Sequence, residues 1–172
     1  MAILFKNFKI GFGNLGPVIL LYFLSITDMD TEFSNFFEIL SFNLQLIVIY
    51  YWALKDPEVL GNGHIFFAGI INDLMMALPL GTSALSYLVT ALVASYIRNV
   101  TVNNSLFTDW FTFLIAIFFS NLTYLILISN FSNYGFTYTN LFYNSFFTFL
   151  FYPIFWLIFN LYKSLIMARK ND

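Results

Sequence analysis

Asp73 is the residue in this sequence whose type and position most directly suggest chemistry. It is the single full charge in an otherwise apolar run from residue 64 to residue 97. A carboxylate inside a membrane costs about 2.5–3.5 kcal/mol on insertion scales, so it must face protein or water rather than lipid. Two roles follow: a proton relay or ligand site, or a buried hydrogen-bonding group between helices. The side chains that we expect as partners in the second case are Asn14, Asn43, Gln45 and Ser86.

Small residues accompany this carboxylate at helical spacing. Gly69, Asp73, Ala77 and Gly81 follow one another at intervals of four residues. A stripe of small side chains lets a second helix backbone approach closely. The spacing therefore favours the structural role for Asp73 over the functional one.

Two other sequence features that often mark a binding or catalytic site lack the neighbouring residues or structure that such a site needs. Gly11 to Gly16 matches the pattern G-x-G-x-x-G, but no strand precedes it and no βαβ unit follows, so nucleotide binding is not expected. His64 is the only histidine and the chain has no cysteine, so an HExxH or Cys-ligated zinc site cannot form, and no Ser-His-Asp arrangement can be proposed from His64 with any specificity. We expect no enzymatic activity, no cofactor and no metal.

The composition indicates a membrane protein. Of the 172 residues, 60% are hydrophobic, 22% aromatic and only 9% charged. A soluble domain needs charges on nearer a quarter of its residues, and seven Lys and Arg cannot form a nucleic-acid-binding surface. We therefore expect a single integral membrane domain over residues 1–172, with an all-α fold and no nucleic-acid partner.

Apolar segments long enough to approach the thickness of a bilayer divide the chain into about six spans. The run from 64 to 97 is too long for one crossing, and Pro79 and Gly81 in its middle predict a tight hairpin. The alternative is a re-entrant loop that never fully crosses. The predicted spans lie near 11–27, 39–54, 64–78, 81–97, 107–129 and 138–162.

Basic residues orient these spans. In the six-span arrangement every Lys and Arg falls on one side, whereas the loops 28–38, 79–82 and 130–137 have none. Positively charged loops stay in the cytoplasm, so both termini are predicted to be cytoplasmic. The tryptophans Trp52, Trp110 and Trp156 fall near the span ends, where interfacial anchors are expected. The seven basic residues are Lys6, Lys9, Lys55, Arg98, Lys163, Arg169 and Lys170.

The region from Leu46 to Ser95 resembles the rod shape-determining protein MreD family. An apolar helix reads Ile-Tyr-Tyr-Trp-Ala-Leu over 49–54, a second reads Gly-Ile-Ile-Asn-Asp-Leu over 69–74, and a Pro-Leu-Gly turn at 79–81 leads into Ala-Leu-x-Tyr-Leu over 84–88. Through this resemblance, the residues that match the family pattern become candidates for shaping the structure or binding a partner. They are Trp52, Gly69, Asp73, Pro79, Gly81 and Tyr87.

The resemblance implies a non-enzymatic scaffold in the bacterial inner membrane. Its partner would be MreC, a single-span protein, and it would act indirectly with the MreB filament and with a SEDS glycosyltransferase and its transpeptidase in lateral peptidoglycan synthesis. The implied fold is similar to the six-helix S-components of energy-coupling-factor transporters. The alternative function is therefore a substrate-binding subunit of a vitamin or small-solute transporter.

Overall fold

The computed structural model describes residues 15–27, 42–101, 105–130 and 138–171, and every regular element within these ranges is an α-helix. This confirms the predicted all-α fold, and each helix overlaps one of the six predicted apolar segments. The helices are α1 (Gly16–Ile26), α2 (Leu44–Lys55), α3 (Asn62–Met75), α4 (Thr82–Val100), α5 (Leu106–Asn130) and α6 (Tyr138–Asn171).

Some sequence predictions fall outside the described residues. These are Lys6, Lys9, Gly11 to Asn14, the segment 28–41 with its acidic loop, and most of the loop 130–137. The backbone of α6 is described to Asn171, but the side chains of Arg169 and Lys170 are not. α6 continues well past residue 162, where the sixth predicted span ends, because no Pro or Gly follows to stop it.

Local sequence explains where the helices begin and end. Pro17 lies in the first turn of α1, where its missing N–H is not needed. The side chain of Asn43 accepts a hydrogen bond from the amide of Leu46 at 3.0 Å and so caps the start of α2. Pro57 follows the end of α2, and the turn at 76–81, which contains the predicted Pro79–Gly81 break, separates α3 from α4.

Helix α2 lies at the centre of the bundle. Every residue from Leu46 to Leu54 is buried, so no face of this helix is left open. α1, α4, α5 and α6 all pack against it, and α4 packs in addition against α3 and α5. An apolar helix that is buried all round forms the core of a larger assembly of helices.

One end of the bundle gathers basic residues, and we call it the basic end. The guanidinium of Arg98 donates to the carbonyl of Ala53 at 2.9 Å, and Nζ of Lys163 donates to the carbonyl of Lys55 at 3.0 Å. The last carbonyls of a helix carry partial negative charge, which favours cations at this position. Three of the seven basic residues predicted to share a side therefore meet around the end of α2.

The opposite end is marked by Asp73, and we call it the Asp73 end. Here Nε2 of Gln45 donates to the carbonyl of Leu24 at 3.0 Å and to Oδ1 of Asn72 at 2.9 Å. These contacts bring the end of α1, the start of α2 and the end of α3 to one level. Successive helices among the described residues thus run in alternating directions between the two ends.

Two of the helices are long and apolar enough to cross a membrane by length and composition. They are α5 and the part of α6 from Thr139 to Ile166, while α1 and α2 are apolar but shorter. The outward side chains of α5 and α6 are largely apolar, among them Phe111, Phe118 and Leu150. A surface of this kind is suited to lipid or to another apolar helix.

Candidate functional site

Asp73 joins the end of α3 to the start of α4. Its side chain is fully buried (0% exposed). Oδ2 accepts a hydrogen bond from the amide of Gly81 at 2.8 Å, and Oδ1 accepts one from the amide of Ser83 at 2.7 Å. The first amides of a helix have no partner within the helix and form a partial positive charge, so this carboxylate supplies both acceptors and charge.

The partners of Asp73 differ from the side chains proposed from the sequence. Asn43 caps α2, Gln45 bonds Leu24 and Asn72, and Ser86 lies 2.6 Å from the hydroxyl of Ser120 on α5. Asn14 lies outside the described residues. The prediction failed because it considered only side chains, whereas the acceptors of Asp73 are matched by backbone amides eight and ten residues along the chain.

A network of amide side chains extends this junction to two further helices. Nδ2 of Asn72 donates to the hydroxyl of Ser83 at 3.1 Å, while its Oδ1 accepts from Gln45. Gln45 in turn reaches the carbonyl of Leu24 on α1. Sequence reasoning did not single out Asn72, although its place beside Asp73 in an apolar helix was an available signal.

The predicted stripe of small residues is only partly realised. A Cβ added to Gly69 would lie 2.6 Å from the amide nitrogen of Ala84 and 3.0 Å from its Cβ, so α3 and α4 touch backbone to backbone here. Ala77 and Gly81, however, lie beyond the end of α3 at Met75. The helical face that the spacing predicted therefore ends at Asp73.

The turn that follows has two residues with left-handed backbone conformation. Ala77 has φ of 50° and Gly81 has φ of 99°. Ala77 occupies the position after the C-cap of α3, and the amide of Leu78 donates to the carbonyl of Asp73 at 2.8 Å, the pattern of a Schellman motif. Glycine is usual at this position because a Cβ is unfavourable there, so Ala77 is a strained choice.

The remaining candidates from the family pattern differ in exposure. Tyr87 on α4 and Trp52 on α2 are each 3% exposed, whereas Pro79 and Gly81 are half-buried in the turn. The indole of Trp52 packs among the rings of Tyr51, Phe159 and Tyr162, and its Nε1 has no hydrogen-bond partner in the described part of the chain.

The three tryptophans differ in exposure: Trp52 is buried, so the prediction that it is an interfacial anchor was wrong, whereas Trp110 and Trp156 are half-buried. Nε1 of Trp156 donates to Oδ2 of Asp109 at 2.9 Å, and Nε1 of Trp110 donates to the carbonyl of Phe149 at 2.9 Å. Their polar atoms therefore bind partners within the protein.

A second buried carboxylate, Asp109, was missed by sequence reasoning. It is 1% exposed, and Nζ of Lys55 lies 2.6 Å from its Oδ2, which also accepts from Trp156. Nearby, Lys163 pairs with Asp56 at 3.4 Å. The signal was an acid in the first turn of an apolar helix, on the same predicted side as Lys55. This cluster ties α2, α5 and α6 together at the basic end.

The buried carboxylates of Asp73 and Asp109 hold helices together. Asp73 and Asp109 both accept hydrogen bonds or ion pairs from their own chain, and the described residues hold no group of three His, Cys, Asp or Glu side chains suited to a metal. His64 is exposed, with its Nδ1 3.3 Å from the hydroxyl of Tyr22. The arrangement fixes helices to one another.

Comparison with known proteins gives one result. A family model described as rod shape-determining protein MreD matches residues 13–163. Neither a curated protein nor a solved structure matches the chain. The matched range includes all of α1 to α5 and most of α6, and it covers the Asp73 junction and the Lys55–Asp109 pair.

Proposed function

Because this chain belongs to the MreD family of rod shape-determining proteins, we propose that it is a non-enzymatic, multi-pass scaffold of the bacterial cell-elongation complex. In this role it binds an MreC-like single-span protein in the inner membrane. Through that partner it acts with the MreB filament and with a SEDS glycosyltransferase and its transpeptidase. The family match over 13–163 is the observation that carries the proposal.

The internal polar contacts support a scaffold. The two buried carboxylates and the amide network of Gln45 and Asn72 are all engaged within the chain. A solute-binding subunit instead needs several oriented donors and acceptors that converge on a ligand. The polar groups at both ends of the described bundle are used to join helices, and this favours the scaffold over the transporter subunit.

The placement of charge supports an even number of crossings between Lys55 and Arg98, which two full spans or a re-entrant hairpin of α3 and α4 both provide. Lys55, Arg98 and Lys163 lie together at the basic end, and α1 to α6 alternate in direction from there. Since basic residues remain in the cytoplasm, the basic end is cytoplasmic and the Asp73 end faces the opposite side. Both termini of the chain then lie in the cytoplasm.

The burial of the family-matching residues indicates how the partner is bound. Trp52, Gly69, Asp73 and Tyr87 are buried inside the bundle, so they shape α2, α3 and α4 rather than touch another protein. Contact with the partner helix falls to outward apolar side chains. The role of the buried residues is to hold α2, α3 and α4 so that the outward side chains have a fixed arrangement.

Depletion of the protein in a rod-shaped host, followed by co-purification, tests the proposal. We expect depleted cells to become round, and an MreC-like single-span protein to co-purify with the tagged chain from membranes. As a control, a Gly63→Ala variant expressed in the depleted cells should restore rods, because this helical position has open space around it. Normal rods together with lost vitamin uptake would instead establish the transporter subunit.

A further inference from the structure

The turn between α3 and α4 is apolar and outward-facing. Residues 75–80 read Met-Met-Ala-Leu-Pro-Leu, without a charged or hydrogen-bonding side chain. Leu80 is 67% exposed and Met75 is 49% exposed. A connection that enters water is normally polar and rich in Gly, Asn, Asp or Ser. This composition is therefore unusual for a turn that faces water.

Several amides of the turn and of the start of α4 are hydrogen-bonded within the chain. Asp73 alone accepts three amides, those of Leu78, Gly81 and Ser83, through its carbonyl and both carboxylate oxygens. Thr82 donates through its amide, at 3.2 Å, and its hydroxyl, at 2.7 Å, to the carbonyl of residue 79. The proline at 79 has no amide to satisfy.

Such internal satisfaction is the requirement for backbone in hydrocarbon. Each unpaired amide or carbonyl there costs several kcal/mol, so irregular backbone survives only where the protein supplies the partners. The buried carboxylate of Asp73 meets this requirement for the amides of Gly81 and Ser83. These two amides therefore need no water.

The length of α3 is consistent with a turn that stops short of the surface. α3 has 14 residues, which is about 21 Å at 1.5 Å per residue, against about 30 Å for the hydrocarbon core. It begins at the basic end, where Asn62 and His64 are exposed. α5 has 25 residues, or about 38 Å, and is long enough to reach both surfaces.

We propose that the α3–α4 turn (residues 76–81) is immersed in the hydrocarbon of the leaflet at the Asp73 end, with lipid acyl chains covering Met75 and Leu80. The inference rests on the proposed placement of the chain in a membrane, and it makes α3 and α4 the re-entrant hairpin that the sequence left as the alternative to two full crossings. In this proposal Asp73 accepts the amides at the start of α4, so that this helix can begin inside the hydrocarbon without water. The surface of the protein at this turn then lies below the membrane surface on the side opposite the basic end.

Single-cysteine labelling tests this directly, because the chain has no native cysteine. Leu80→Cys and Met75→Cys report on the turn. Asn130→Cys, at the exposed end of α5, is the matched control at the same end, and Glu58→Cys, exposed after α2, is the control at the basic end. Each variant is placed in vesicles of phosphatidylethanolamine and phosphatidylglycerol, with a charged maleimide on both sides of the membrane.

We expect both control positions to label rapidly and both turn positions to label at least about tenfold more slowly, since the reactive thiolate forms only in water. In sodium dodecyl sulfate all four should label alike, which shows that each thiol is reactive. Labelling of positions 75 and 80 as fast as position 130 would place the turn in water and overturn the proposal. Protection in cells but not in vesicles would overturn it too, by assigning the cover to a protein.

The same variants separate this inference from the proposed topology. In intact spheroplasts, a maleimide that cannot cross the membrane should label position 130 and spare position 58. Labelling of position 58 from outside would overturn the orientation in the proposed function. The comparison of positions 75 and 80 with position 130 in vesicles does not depend on that orientation.

Discussion

The indole of Trp110 donates to the carbonyl of Phe149, which is the acceptor that Pro153 leaves without a partner in α6. In a regular helix the amide of residue 153 would bond this carbonyl, but proline has no amide. The side chain from α5 makes the missing bond at 2.9 Å. A proline in the middle of a 34-residue apolar helix is thereby compensated by a neighbouring helix.

Replacing Trp110 by Phe should destabilise the protein by about 1–3 kcal/mol, because the partly buried carbonyl of Phe149 loses its donor. In a Pro153→Ala background the restored amide supplies that donor, so the same change should cost less. A double-mutant cycle measured by unfolding in mixed detergent micelles gives the coupling. Strictly additive effects of the two substitutions would contradict this account.

Replacing Lys55 by Met should destabilise the protein by about 3–5 kcal/mol, because it leaves the buried carboxylate of Asp109 without its counter-charge. Adding Asp109→Asn should recover much of the loss, since no unpaired charge remains and the amide oxygen still accepts from Trp156. Glu58→Gln, at an exposed site, is the control expected to change little. Thermal unfolding in detergent measures all of these variants. A double variant no more stable than Lys55→Met would argue against the ion pair as the cause.

Replacing Gly69 by Ala should destabilise the α3–α4 contact by about 1–3 kcal/mol, because the new Cβ meets the backbone of Ala84. The matched change Gly63→Ala lies in the same helix with nothing within 4 Å, so it should be neutral or stabilising by up to about 1 kcal/mol. Thermal unfolding of both variants in detergent provides the comparison. Equal changes in stability in the two variants would show that the close approach to Ala84 does not determine the effect.

Replacing Ala77 by Gly should stabilise the protein by about 0.5–1 kcal/mol, because glycine relieves the left-handed conformation but loses more entropy on folding. Gly81→Ala should act in the opposite direction, since φ of 99° is unfavourable for a residue with a Cβ. Denaturation midpoints of the two variants test the opposite signs. A loss of stability in Ala77→Gly would contradict the assigned strain.

Replacing Asp73 by Asn should preserve more function than replacing it by Leu. The Asn oxygen can still accept one of the amides of Gly81 and Ser83, although its NH₂ group faces the other. Leu removes both acceptors and leaves two donors unpaired. Restoration of rod shape in depleted cells is the measurement. Complete loss with both substitutions would favour an ionisable role for this carboxylate.

Periodicity and hydrophobicity were sufficient to predict the six helices seen in the described parts of the chain, because the lengths of the apolar segments can be read directly from the sequence. They also placed the break near Pro79 and the close approach at Gly69. They did not predict the end of α3 at Met75, which depends on Ala77 adopting a left-handed conformation that its residue type disfavours. The partners of Asp73 were missed for a similar reason, since backbone amides carry no residue identity.

The Lys55–Asp109 pair shows the limit of reasoning from a single segment. Each residue lies near the end of a predicted span, where a charge is unremarkable. Only the packing of α2 against α5 brings them within 2.6 Å and buries the carboxylate. Trp110 is a comparable case, because its partner exists only where Pro153 interrupts α6.

The enclosure of α2 on all sides has a consequence for biosynthesis. This helix leaves the ribosome before α4, α5 and α6, so during translation it stays partly uncovered until the helices that surround it have been made. The hydroxyl of Tyr50 lies 2.7 Å from that of Thr112, and Lys55 pairs with Asp109; both partners arrive with α5. A nascent chain that stalls after Val100 would therefore expose the surfaces of α2 that α5 and α6 cover in the finished protein.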